Sequence, residues 1–291
     1  MSKLQKEIKS IESQIKKKFG SELVSLIHIG SSLRPKEMFS NSDIDFVAVV
    51  KKKPKDWFTS VDSSYETNIL AYSKHQFRNL IKEGSPVPLM AVKFGKTLFD
   101  NNFLKFDAKP TEKTIETWVQ NGFSIFSSAI MEFFAAGCVC CYLKDTHHSA
   151  RSFLRAQILK EKGILCESDK DIIKNTDDDG MRRIFEKLIN FRKNLISFPF
   201  DFMKLHRMKK VSGKSAEPLL LLEQLMHEMA FRFYEKKMHK LSEIINKIEV
   251  PFDRIHSIFL TTKDEGKESY FVSIIDKKDK LQFMEFPLYK Y

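Results

Sequence analysis

Glycine and proline are scarce, 10 and 9 in 291 residues, and cysteine is scarcer still at four. So few glycines and prolines exclude a collagen-like or low-complexity chain, and 42% hydrophobic with 30% charged residues excludes disorder. Cys138, Cys140 and Cys141 crowd together while Cys166 stands apart, which is no secreted disulfide framework, and no signal-peptide pattern opens the chain. A reducing, cytoplasmic setting is the expectation. The same cysteines lack the paired spacing to Cys166 or to a histidine that a zinc site uses, and they read as thiols packed in a helix. Long apolar runs are missing too: Phe123 to Leu143 comes nearest, but Ser124, Ser127, Ser128 and Glu132 interrupt it, so no membrane partner is expected.

Positive charge is what the chain has in excess. Lysine and arginine total 49 against 38 acids, a net +11, which favours anionic partners such as nucleotides, nucleic acid or acidic lipid without choosing among them. The runs Lys16 to Lys18 and Lys51 to Lys53 read as solvated surface, with a phosphate or RNA track as the alternative. The 26 phenylalanines fall mostly at helical core spacings rather than in an alternation with basic residues suited to stacking bases.

The pattern changes along the chain. Leu4, Ile8, Ile11, Ile15 and Phe19 recur at spacings of three and four, predicting a first helix that Gly20 stops. Glu22 to Ile29, Asp43 to Val50 and Ser64 to Tyr72 read as strands, and Ser73 as the cap of a short helix through Ile81. From Thr111 the periodicity is helical. Helices are expected over Glu112 to Leu143, over His148 to Lys162, on the stripe from Met181 to Leu195, and from Pro218 to about Lys247. Tyr270 to Ile275 and Leu281 to Phe286 flank a polar turn and predict a hairpin. The fold class is α+β: an α/β domain over 1–108, then a helical domain with a terminal hairpin over 109–291, joined through Asn101 to Lys113.

One constellation carries chemistry. Ile27-His28-Ile29-Gly30-Ser31-Ser32 ends a strand in a Gly-Ser turn, and Asp43-Ile44-Asp45 opens the next apolar strand. Strand alternation puts Asp43 and Asp45 on one face, roughly 6 to 7 Å apart along the chain, with Ile44 and Phe46 on the other. Two carboxylates on a rigid strand suit a hard divalent cation whose coordination phosphate oxygens can complete. Gly30 permits close approach of an anion, and the amides and hydroxyls of Ser31 and Ser32 can bond to terminal phosphates.

Gly30-Ser31, then Asp43-Ile44-Asp45 followed by hydrophobics, resembles the signature of the DNA polymerase beta-like nucleotidyltransferase superfamily. A small α/β domain before a helical bundle is similar to its minimal and kanamycin nucleotidyltransferase-like branches. The resemblance implies a mixed sheet, two magnesium ions with manganese as the alternative, and transfer of a nucleoside monophosphate from a nucleoside triphosphate to an acceptor. Gly30 and Ser31, with Ser32 beside them, then hold phosphate, and Asp43 and Asp45 hold metal. Family members place a third carboxylate on a following strand. Glu66 is the expected metal ligand and catalytic acid there, Asn68 lies one pleat on along the same face, and Glu132 is the substitute should neither serve.

The acceptor, whether small molecule, RNA or protein, and the nucleotide base are not fixed by the sequence. A catalytically impaired nucleotide-binding module and an RNA-tailing enzyme are the alternatives. Arg151 and Arg155, four apart, form either a phosphate clamp or a surface ion pair. His147 and His148 read as capping or exposed. Arg232 and His239 have a spacing seen in HEPN-type ribonucleases, on what reads as an ordinary amphipathic helix.

Overall fold

Ser2 opens the chain's first helix with a capping box. Its side chain accepts from the Gln5 amide, Gln5 returns the bond, and α1 (Lys3–Phe19) ends at Gly20 with φ 49°. The computed structural model describes residues 2–39, 42–52, 61–136, 138–198, 211, 213–263 and 267–290. Ser40 and Asn41, in the loop between Gly30 and Asp43, and Lys53, the last of the second basic run, lie outside the described residues. The chain divides into two compact units, Met1–Thr117 and Trp118–Tyr291.

The first unit is built on a mixed sheet of β1 (Leu23–Ile29), β2 (Ile44–Val50), β3 (Thr67–Ser73) and β4 (Lys96–Asp100), in the order β3-β2-β1-β4. β1 runs antiparallel to β2 and β4, whereas β2 and β3 are parallel. Burial follows from alternation. Leu26, Ile44, Phe46, Ala48, Ile69 and Ala71 share one core with Leu4, Ile11 and Ile15 of α1. Tyr72, from the other face, meets Phe77 of α2 (Lys74–Glu83), and a Cβ on Gly95, after α3 (Pro86–Phe94), would collide with Ile27. Helices therefore cover the sheet on both sides. Ser73 caps α2 by accepting from the Gln76 amide, as the sequence predicts.

The second unit departs from the sequence reading at its centre. A single helix over Glu112 to Leu143 is not formed. α4 (Glu112–Met131) passes into a π-helical turn, Glu132–Ala136, and α5 restarts at Val139 and runs unbroken to Lys162. Cys138 is the new N-cap, accepting from the Cys141 amide. The apolar pattern runs straight through this stretch, so periodicity alone does not reveal the change of pitch. Around α5 pack α6 (Asp169–Asn175), α7 (Asp179–Lys193) and α8 (Glu217–Tyr234). The buried Tyr142 hydroxyl ties α5 to α8, donating to the Ser215 carbonyl at 3.1 Å and accepting from the Leu219 amide at 3.0 Å. The helix expected over Pro218 to Lys247 is two, α8 and α9 (Leu241–Asn246), because Glu235 takes φ 55° and closes α8.

The terminal hairpin is β6 (Lys267–Asp276) with β7 (Leu281–Pro287), joined by a strand that the sequence reading does not contain, β5 (Phe252–Lys263). Two register irregularities in β5, at Phe252/Arg254 and Ile255/Ser257, break the period-two alternation by which a strand is recognised. No described helix is long and apolar enough to cross a membrane.

A buried polar network fastens α5 to α6 and α7. His147 and His148 are neither capping nor exposed. Burial pushes the His147 imidazole down to about 4 against the opposing pull of Asp169, so the ring is neutral. Its Nε2 donates to Asp169 at 3.0 Å, and its Nδ1 accepts from Arg192 at 2.9 Å. Arg192 also donates to His148 at 2.9 Å. Arg151 pairs with Asp169 at 2.7 Å, and Arg155 donates to the Glu167 carbonyl at 2.6 Å while its guanidinium lies over Trp118. Burial alone would raise the Asp169 carboxyl. Arg151 and His147 outweigh it and hold the group well below the usual carboxylate range.

Candidate functional site

Asp45 is in register with Asn68 across the parallel β2–β3 pair, so alternation puts both side chains on the face away from α1. Asp43, just before β2, comes to the same place. The Asn68 amide nitrogen donates to Asp43 Oδ2 at 2.8 Å and to Asp45 Oδ1 at 3.0 Å. Two carboxylates thus converge on one point, all three side chains being half-buried at the end of the sheet. Ser42 sets the approach. Its hydroxyl accepts from the Phe39 amide at 2.9 Å and its own amide donates back to the Phe39 carbonyl at 3.1 Å, tying down the residue just before Asp43.

Gly30 lies on the other side of Asp45. Its backbone sits at φ 85°, ψ −166°, a region essentially reserved for glycine, and a Cβ there would stand 2.6 Å from Asp45 Oδ2. The chain then turns through a short 3-10 segment, Ser31–Leu33. Gly30→Ala is therefore expected to destabilise the first unit by about 1–3 kcal/mol and to drive the Asp45 carboxylate off Asn68. A thermal melt within a degree of the parent would contradict this.

Ser31 and Ser32, beside Gly30, differ in their surroundings. Ser31 is half-buried at the turn, but Ser32 is 2% exposed and its hydroxyl is engaged 2.7 Å from His28 Nε2. Burial, with Lys96 adding to it, pushes His28 down to about 4, so the ring is neutral. It stacks on Phe46 with centroids 5.2 Å apart and fastens the turn from beneath. Sequence reasoning passed over His28. Its signal was a lone imidazole in an apolar strand four residues before a serine.

Glu66 is the expected third ligand. The residue is exposed, precedes β3, and contributes its carbonyl to the sheet by accepting from the Ile44 amide at 2.9 Å. Asn68, set opposite Asp45 by the strand register, bridges the pair. Among the described residues, the only trio of Cys, His, Asp or Glu side chains with ligand atoms within 4.8 Å of one another is Cys138, Cys140 and Cys141, so Asp43, Asp45 and Glu66 form no such triad. Glu132 belongs to the second unit, in the π-helical turn, where its charge acts on Cys138 and Asp145. Arg232 and His239 share no helix: Arg232 in α8 bonds to Glu228, Glu161 and Asp178, and His239, beyond its end, lies 3.2 Å from Glu243.

No protein-family model and no curated protein matches the chain. Among solved structures it is similar to a nucleotidyltransferase-like protein from Exiguobacterium sibiricum 255-15, at 12% sequence identity and a TM-score of 0.33, over 78% of this chain and 76% of that one. A likeness of that degree leaves function to the site residues themselves.

Proposed function

We propose that the first unit is a metal-dependent nucleotidyltransferase domain, moving a nucleoside monophosphate from a nucleoside triphosphate to an acceptor with release of pyrophosphate. The observation that carries this reading is the convergence of Asp43 and Asp45 on a single point, against the Gly30 turn. The donor set fits the cation: paired carboxylate oxygens suit magnesium or manganese, and Asp43 and Asp45 are the residues that would hold it. When bound, such a cation neutralises phosphate charge and polarises the phosphoryl group under attack.

The remaining work falls to the chain. Gly30, lacking a side chain, lets a polyphosphate approach the backbone, and Ser31 offers its amide and hydroxyl to phosphate oxygens. His28 and Ser32 keep that turn in place from the buried side. Asn68 aligns the two carboxylates by donating to both. Positioning and charge neutralisation of this kind supply most of the acceleration in phosphoryl chemistry.

Asn68 also favours a second reading. An amide cannot take a proton from an acceptor hydroxyl, so the same site suits a module that binds nucleotide without turning it over. Incubation with α-labelled triphosphates, magnesium and pools of RNA, protein and small-molecule acceptors separates the two. Magnesium-dependent label transfer with equivalent pyrophosphate supports the enzyme, and transfer to RNA with steep salt dependence identifies a tailing activity. Saturable binding without pyrophosphate supports the module, and absence of both rejects the site. If only the acid is wanting, Asn68→Asp should raise transfer by about 100-fold.

A further inference from the structure

The start of α5 gathers three sulfurs. Cys138 precedes the helix in an extended conformation, φ −85° and ψ 101°, and its side chain folds back over the first turn to accept from the Cys141 amide at 3.3 Å. The Cys138 sulfur lies 3.0 Å from that of Cys140 and 2.7 Å from that of Cys141, and the latter two are 3.9 Å apart. All three residues are half-buried thiols, within reach of solvent. The π-helical turn just upstream carries Glu132, whose charge acts on Cys138. Its Oε2 is buried with no hydrogen-bond partner among the described residues. Such an oxygen is costly to leave without a donor or a cation.

We propose that Cys138, Cys140 and Cys141 bind a thiophilic divalent cation of the zinc class, with Glu132, which lies outside the 4.8 Å sulfur cluster, drawn in from the π-helical turn as fourth ligand. Three sulfurs and one carboxylate oxygen make a four-coordinate, tetrahedral donor set of the kind zinc takes and magnesium or calcium does not. Zinc–sulfur bonds of about 2.3 Å hold sulfurs roughly 3.8 Å apart. The Cys140–Cys141 pair already has that spacing, at 3.9 Å, and Cys138 would swing outward to open the other two. Binding exchanges thiol protons for the cation, up to one from each cysteine, and nothing is oxidised or reduced. The bound cation would clip the π-helical turn to the first turn of α5. The site shares no residue with Asp43 and Asp45 and stands whether or not the nucleotide reading does.

Cobalt(II) is the probe, titrated without oxygen into the reduced, metal-free full-length chain. One equivalent should release protons and give thiolate-to-cobalt charge-transfer bands and the visible bands of a tetrahedral ion, which one equivalent of zinc should discharge without further proton release. Cys138→Ser and Cys141→Ser should each weaken binding by about 100-fold, and Glu132→Gln by about 10-fold with displaced visible bands. Far-UV circular dichroism of each variant confirms its folding, and Asp43→Asn with Asp45→Asn should titrate like the parent. The proposal is overturned if no charge-transfer band develops, or if the bands survive in the Cys138→Ser, Cys141→Ser double variant. It also fails if they vanish with the aspartates, or if the thiols close to a disulfide and take up no cation from the reduced state.

Discussion

Asp43→Asn combined with Asp45→Asn should abolish magnesium-dependent binding of triphosphate, by 100-fold or more, while the metal-free protein melts no lower than the parent. Both parts follow from the same contact. The two carboxylates share one donor, the Asn68 amide nitrogen at 2.8 and 3.0 Å, and two negative charges drawn so close repel by about 1–3 kcal/mol at a partly solvated site. Asparagine keeps the shape of each side chain and an oxygen to accept from Asn68, so it removes the repulsion and spares the geometry. It also removes the negative oxygens a divalent cation needs. Isothermal titration with a non-hydrolysable triphosphate, with and without magnesium, measures the first effect and a melting curve in chelator the second. Retention of magnesium-dependent binding by the double variant would refute the assigned role of the pair.

The largest loss of stability is expected at Asp169→Asn, about 3–5 kcal/mol, because this change strands charge in a buried network. Asp169 answers Arg151 at 2.7 Å and accepts from the buried His147 at 3.0 Å. Asparagine still accepts from the imidazole, so the loss reports the unanswered guanidinium. Adding Arg151→Met should recover part of it by removing that cation. Thermal melting of the two variants checks this, and a first-variant midpoint equal to the parent's would disprove it.

Acid should weaken the same region. Burial pushes the folded His147 down to about 4, against about 6.5 for a free imidazole, so the unfolded chain binds the extra proton between those values. Stability is complete above about pH 6.5 and falls as pH drops toward 4, by roughly 3 kcal/mol from this group. Asp145, raised to about 6 by burial and by Glu132, works in the opposite sense over a narrower window. Melting curves between pH 7 and 4.5 register the balance.

The candidate site was legible as far as one strand could carry it. Pleating put Asp43 and Asp45 together, and the Gly-Ser turn supplied a side-chain-free approach, both read from spacing alone. The side chain that meets the pair was not, because it depends on how β3 slides along β2, and a parallel register is a property of two distant segments. Glu66 and Asn68 lie on one face of an extended chain, and only the pairing of Asp45 with Asn68 decides between them. The His28–Ser32 contact needed the 3-10 turn, which no alternation announces. The helical half was legible in its stripes and not in its interruptions: Gly20 declared the end of α1, while the π-helical turn at Glu132–Ala136 kept its apolar pattern and hid the restart at Val139.

An amide has two unlike ends, and Asn68 presents the hydrogen-bearing one to the acids. The acid pair is thereby held in place by a neutral group. A cation held by Asp43 and Asp45 would face those hydrogens, and a half-turn of the side chain about its Cβ–Cγ bond would offer it the carbonyl oxygen in their place. Occupancy of the site would then be recorded in the orientation of one asparagine, a change that side-chain amide resonances can follow directly.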